Sequence, residues 1–147
     1  MCGRFAEAGA DLITFHEEAA SDPKSVIDEI HDNNVAAGIA INASTPVSRI
    51  EPYVGNCELA LLMSIDAGFG GQAFQADSLD KFKRVREIAG DEILLEIDGG
   101  INKQTIASAV DAGAELLVVG SAIFKHDPYE PEIEALRSEM AKGRVMK

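Results

Sequence analysis

The chain has 147 residues, the size of one domain and long enough to bury a core of its own. Its composition, 46% hydrophobic and 26% charged, is that of an ordinary globular protein, and no stretch approaches the ~20 uncharged apolar residues that span a bilayer. With 25 acidic against 13 basic residues the net charge is −12, and no Lys/Arg cluster interleaves with aromatics, which argues against nucleic acid and anionic membrane as partners.

Along the chain, short apolar segments alternate with helical ones, and no linker or low-complexity tract divides residues 1–147 into more than a single domain. The N-terminal Met1-Cys2-Gly3-Arg4-Phe5 has no apolar signal core, so secretion is not expected. Phe5 to Ala8 should be the last turns of a helix. The reason is an internal echo: Ala8-Gly9-Ala10-Asp11-Leu12 repeats the helix end, glycine cap and strand start of Ala112-Gly113-Ala114-Glu115-Leu116. The chain is thus expected to start inside a βα unit.

Leu12 to His16 reads as a strand, followed by a helix from Asp22 to Asp32 with Ser21 as its N-cap and Pro23 in its first turn. Ala37 to Ile41 is the next strand, then a short helix around Val47 to Tyr53. Leu59 to Ser64, apolar at successive positions, reads as a strand buried on both faces. A helix over Ser78 to Ala89 ends at Gly90, and Ile93 to Asp98 is the fourth strand. Asn102 should cap a helix running to Ala112, Leu116 to Val119 is the fifth strand, and Glu132 to Ala141 is the last helix. Cys2 and Cys57 are too few for a disulfide framework and lack metal-ligand spacing, so free thiols in a reducing cytoplasm are expected.

Strands linked by crossover helices make an α/β fold with a parallel sheet and right-handed connections. Five βα units fit either an open doubly wound sheet or part of an eight-stranded barrel. Length favours the first, because a full barrel needs about 250 residues. The chemistry-bearing residues favour the second. A five-strand piece of a barrel leaves two unpaired edges, which promotes association.

Met63-Ser64-Ile65-Asp66-Ala67-Gly68-Phe69-Gly70-Gly71-Gln72 ends the third strand, with three glycines in four positions. Such a loop lets backbone N–H groups approach an anion closely. Gly99-Gly100 follows the fourth strand and Gly120-Ser121 the fifth, so three successive strands end in glycine on one pocket. Phosphate sites of barrels sit at the loops after the last strands, on helix N-termini. Amide dipoles there would attract a phosphate despite the net charge of −12.

Asp98 ends a buried strand beside that pocket. A carboxylate in this place abstracts a proton, donates one or binds a divalent metal, unless it merely caps the next helix. Glu96 shares its strand face but lies deeper, where a buried, paired carboxylate is expected. His16 either faces the site or is a satisfied strand-end histidine. Asn42 either bonds a sugar hydroxyl or shapes the turn before Pro46. Met63 reads as core more readily than as ligand contact, and His31 and His126 receive no role. No nucleophile elbow, Walker loop or HExxH motif occurs.

Taken together, Ile13 to Ala19, Gly38 to Asn42, Met63-Ser64 with Gly68 to Gln72, Ile97-Asp98-Gly99-Gly100-Ile101 and Gly120 to Phe124 resemble the ribulose-phosphate 3-epimerase family. The resemblance runs in order over nearly the whole chain. It implies a (β/α)₈ TIM barrel of which this chain is a part, strands four to eight. It also implies interconversion of ribulose 5-phosphate and xylulose 5-phosphate in the cytoplasm. Asp98 would be one of two acid/base carboxylates and one of four ligands to a divalent metal (Zn, Fe, Mn or Co). Gly68, Phe69, Gly70, Gly71, Gln72, Gly99, Gly100, Gly120 and Ser121 would bind the substrate phosphate, with Asn42, Met63 and Ser64 as further substrate contacts.

The chain departs from the family pattern in one respect that bears on chemistry. The family's second Asp lies in a His-x-Asp-x-Met-Asp-Gly segment, and that segment and both metal histidines are absent here. Ala43 and Ala67 stand where the family has proline. Phosphosugar binding with impaired catalysis is the resulting expectation. The alternatives are a non-catalytic phosphosugar-binding or interaction module, closing its edges as a homo-oligomer, and an epimerase part acting on a six-carbon ketose phosphate.

Overall fold

The five apolar segments form one parallel sheet: β1 (Leu12–His16), β2 (Ala36–Ile41), β3 (Leu59–Met63), β4 (Leu94–Asp98) and β5 (Leu116–Val118). The computed structural model describes residues 1–65 and 74–145. Strands pair in chain order, β1-β2-β3-β4-β5. A doubly wound sheet reverses its order at a switch point, so the uninterrupted order differs from that fold and is the order found in parallel barrels. Among the described residues β1 and β5 each pair on one side only, and the arc does not close.

The helices follow the expected alternation: α1 (Cys2–Glu7), α2 (Pro23–Asp32), α3 (Leu79–Ala89), α4 (Ile106–Ala112), α5 (Ser121–Phe124) and α6 (Glu130–Val145). The helix before β1 is present, and the echo holds in backbone terms, with Gly9 at φ +95° and Gly113 at φ +111°. Several boundaries differ from the expected ones. The N-cap of α2 is Asp22 rather than Ser21; its carboxylate accepts the Ser25 N–H at 3.2 Å. The expected helix at Val47 to Tyr53 is instead two 3₁₀ turns, Val47–Arg49 and Val54–Asn56. Asn102 does not cap α4 directly. It heads a turn in which its side chain accepts the Gln104 N–H at 2.8 Å, and α4 starts only at Ile106.

Parallel register keeps paired residues on one face, and that sorts the sheet into two sides. Ile39, Ile41, Ala60, Leu62, Leu95 and Ile97 share the helix side. There they pack with Ile27 and Ile30 of α2, Phe82 and Val85 of α3, and Ile106 and Ala109 of α4. Full burial of such side chains stabilises by about 1.5–3 kcal/mol each. The last helix, α6, folds back on α4. Its Gly143 lies so close to the Ala107 carbonyl that no Cβ fits between them.

The opposite side carries Leu12, Thr14 and His16 of β1, Leu61 and Met63 of β3, Leu94, Glu96 and Asp98 of β4, and Leu116 and Val118 of β5. No helix covers it. Leu12, Leu94, Leu116 and Val118 remain 37%, 43%, 41% and 40% exposed, an unusual state for strand leucines and valines. This is the side that lines the interior in a closed barrel. No helix of the described residues is long and apolar enough to cross a membrane.

Candidate functional site at the C-terminal ends of β3, β4 and β5

Asp98 is the last residue of β4, paired with Met63 on one side and Val118 on the other. It lies on the uncovered face, half-buried, and among the described residues its carboxylate has no hydrogen-bond partner. A strand-end Asp that merely capped the next helix would accept a backbone N–H from it; this one does not. Two residues below it, Glu96 faces the same way between Leu61 and Leu116. The paired carboxylate expected there is not found: Glu96 is half-buried without an ion pair among the described residues. Burial first, then the charge of Asp98, pushes its carboxyl above the ordinary range.

The backbone after Asp98 explains the two glycines. Gly99 has φ +117° and Gly100 φ +62°, conformations that side chains disfavour. Space forbids them as well. A Cβ on Gly99 would stand 2.5 Å from Ile65 Cγ1, and one on Gly100 3.1 Å from Phe74 Cβ. Residues 65 and 74 thus both abut the Gly99-Gly100 turn. Gly68, Phe69, Gly70, Gly71 and Gln72, expected to bind phosphate, lie outside the described residues, as does Ala67.

β5 supplies the neighbouring segment. The register Asp98↔Val118 brings Gly99-Gly100 and Val119-Gly120 out of the sheet side by side, one strand spacing of about 5 Å apart. The Gly120 carbonyl accepts the N–H groups of Ile123 and Phe124 at 3.0 Å, so the short α5 starts at Ser121. The amides of Ser121 and Ala122 have no acceptor within that turn.

Ser64 has a clear structural occupation. It is wholly buried, and its hydroxyl donates to the carbonyls of Asp98 (3.1 Å) and Gly99. Met63 is buried beside Asp98. Asn42 lies just past β2, half-buried; its N–H donates to Glu18 Oε1 at 2.8 Å. His16 ends β1 with Nδ1 3.2 Å from Glu18 Oε2, the satisfied strand-end arrangement. His31 sits instead at the other end of the sheet, 3.0 Å from Glu58.

Two residues that local patterns did not reveal hold the Asn42 loop. Lys81 of α3 donates to the carbonyls of Asn42 (3.2 Å), Ala43 (2.6 Å) and Thr45 (2.5 Å). Glu18 accepts from the Asn42 N–H and the Thr45 hydroxyl. Burial alone would raise its carboxyl, but the bonds from Thr45, Asn42 and His16 outweigh burial and hold it at about 2. The contacts of Glu18 and Lys81 with the Asn42 loop span 24 to 39 residues in sequence, so no motif could have disclosed them.

The divalent metal that the resemblance implies finds no ready site here. Among the described residues no three His, Cys, Asp or Glu side chains come together to hold an ion. His16 shares the open face with Asp98, but they end β1 and β4, with β2 and β3 between them. The described residues therefore do not fit a complete metal centre, and Asp98 offers a single ligand.

Comparison with known proteins agrees with this architecture. The model of the "Ribulose-phosphate 3 epimerase family" matches residues 1–124. The ribulose-phosphate 3-epimerase of Escherichia coli (strain K12) is 41% identical over 141 residues, which cover 94% of this chain and 63% of that protein. The ribulose-phosphate 3-epimerase of Bacillus subtilis (strain 168) is 39% identical over 137 residues, covering 90% and 63%. The chain therefore spans less than two thirds of these relatives. Among solved structures, KGPDC from Streptococcus mutans in a ligand complex superposes with a TM-score of 0.76 at 17% identity, over 99% of this chain and 67% of that one. The 3-hexulose-6-phosphate synthase from Salmonella typhimurium gives 0.71 at 15% identity, over 97% and 67%. At these identities the structures speak to the fold alone, a parallel barrel-type α/β architecture. The sequence relatives say more: matched along most of its length, the chain belongs to the ribulose-phosphate 3-epimerase family.

Proposed function

We propose that this chain is the phosphate-holding part of a metal-dependent ribulose-phosphate 3-epimerase and that it binds ribulose 5-phosphate and xylulose 5-phosphate at the C-terminal ends of β3 to β5. The observation that carries the reading is Asp98 at the end of β4, whose carboxylate has no hydrogen-bond partner among the described residues and which is followed at once by two glycines held at positive φ. Amides at Gly99, Gly100, Gly120 and Ser121, together with Gly68, Phe69, Gly70, Gly71 and Gln72, receive the phosphate. Short-range amide dipoles are what draw an anion to a chain of net charge −12. Asn42 reaches a sugar hydroxyl, Met63 packs against the sugar, and Ser64 acts on the site by fixing the Asp98 backbone.

Asp98 then works on one face of the carbon next to the ketone, taking its proton or returning one. Inversion needs a second acid on the opposite face, and the His-x-Asp-x-Met-Asp-Gly segment that carries it in the family does not occur in residues 1–147. The chain by itself is therefore a binder with impaired turnover. Its two buried free thiols suit a reducing cytoplasm.

An epimerase assay on the 147-residue chain, with and without added divalent metal, tests the catalytic half of this reading. No turnover is expected in either condition. Turnover that disappears in Asp98→Asn would contradict it, because a second acid would then be supplied from within the chain or across an assembly.

A second reading, self-association, is favoured by the uncovered leucines and valine of the sheet. Sedimentation over a range of concentrations should then reveal a homo-oligomer, and a monomer throughout would count against it.

A further inference from the structure

Cations are scarce in this chain and most are engaged. Lys24, Arg49, Lys83, Arg84, Arg86 and Lys142 are each ion-paired, and Lys81 is spent on backbone carbonyls. A different arrangement surrounds a cleft of about 360 Å³ between the turn before α4 and the α5–α6 junction. Lys103, Lys125 and His126 converge on it, with Asn102 and Ser121 as neutral donors and Glu132 as the one carboxylate in its lining.

Glu132 cancels only Lys103's share of this charge. Its Oε2 stands 2.6 Å from Lys103 Nζ, and that close ion pair, aided by the nearby His126, holds the Glu132 carboxyl below its ordinary range. That pair is neutral as a unit. Lys125 has no carboxylate partner among the described residues, so its charge is left over. A surplus of positive charge in a cleft of a strongly acidic chain collects small anions.

The position of the cleft gives that charge a use. Ser121 begins α5 directly after β5, and Asn102 Nδ2 donates to the Gly100 carbonyl at 2.9 Å. The cleft therefore adjoins both glycine ends of the candidate site. We infer that it is an outer anion subsite, which takes the phosphate group of an arriving phosphosugar on Lys125, Lys103 and His126 before the inner amides do. This rests on the phosphosugar-binding reading above. Because the cations are exposed, their effect is modest and salt-sensitive.

The test is an amide NMR titration of the ¹⁵N-labelled full chain with ribulose 5-phosphate and, separately, with inorganic phosphate. The amides of Lys103, Lys125 and His126 should shift saturably in both. Lys125→Ala should weaken apparent affinity roughly two- to fivefold at low salt, less at high salt, whereas Lys83→Ala on α3 should leave it unchanged. Absent shifts at those three amides, or a Lys125→Ala chain that binds as tightly as Lys83→Ala, would overturn the inference. So would inorganic phosphate that ribulose 5-phosphate cannot displace, since the cleft would then serve the free ion alone. Shifts at Gly99 and Gly100 report on the inner site independently, so the two readings can fail separately.

Discussion

Ser64 donates both its backbone N–H and its hydroxyl to the carbonyl of Asp98, at 2.8 and 3.1 Å. The end of β3 thereby fixes the main chain of the residue whose carboxylate faces the open side of the sheet. The same hydroxyl reaches the Gly99 carbonyl, so one buried side chain ties down the start of the glycine turn. Position and chemistry meet in this contact: the Asp98 carboxylate has no hydrogen-bond partner among the described residues, and its main chain is held by Ser64.

Ser64→Ala removes a fully buried hydroxyl and leaves the Asp98 and Gly99 carbonyls with fewer donors. The expected cost is about 1–2 kcal/mol, read as a lowered urea midpoint with an unchanged m-value. Phosphosugar affinity should fall as well. A variant equal to the parent in both would mean that the hydroxyl does not brace the turn.

Gly99→Ala should cost more than its size suggests. The new methyl would meet Ile65 Cγ1 at 2.5 Å and the Ile65 backbone nitrogen at 3.0 Å, at a φ of +117°. Strain of this kind costs on the order of 1–3 kcal/mol. Thermal unfolding compared with Gly120→Ala, where a Cβ meets nothing, separates local strain from a general effect of substitution.

The Glu18 carboxyl, held at about 2 against an ordinary 4.5, predicts a definite acid response. A group whose folded-state value is depressed contributes stability above its unfolded value and loses it as pH falls. The contribution should thus be complete above about 4.5 and disappear progressively towards about 2. Urea unfolding across that window should weaken the parent chain more steeply than Glu18→Gln, which should already be less stable near neutrality. Parallel curves would contradict the proposed Glu18 clasp on Asn42 and Thr45.

Much of this architecture is legible in local pattern. β1 coincides with the expected Leu12 to His16, and Gly90 and Gly113 end α3 and α4 as their punctuation suggests. The misplaced boundaries have local causes. Ser21 and Asp22 are both capable caps, and only the geometry favours Asp22. Asn102 carries a cap signature that the chain uses for a turn. Strand order was not legible from alternation, because doubly wound sheets and barrels share the same βα rhythm. The bracing of the site escaped for a different reason: Ser64 to Asp98 spans 34 residues and Lys81 to Asn42 spans 39, distances over which no periodicity carries information.

The most direct measurement of the central claim is the thermal unfolding of the 147-residue chain with increasing ribulose 5-phosphate. If the glycine ends of β3 to β5 hold its phosphate, the melting temperature rises with ligand, equivalent to about 2.7 kcal/mol at a hundredfold excess over Kd. Gly99→Ala should blunt the rise. A melting temperature indifferent to the phosphosugar would contradict the claim.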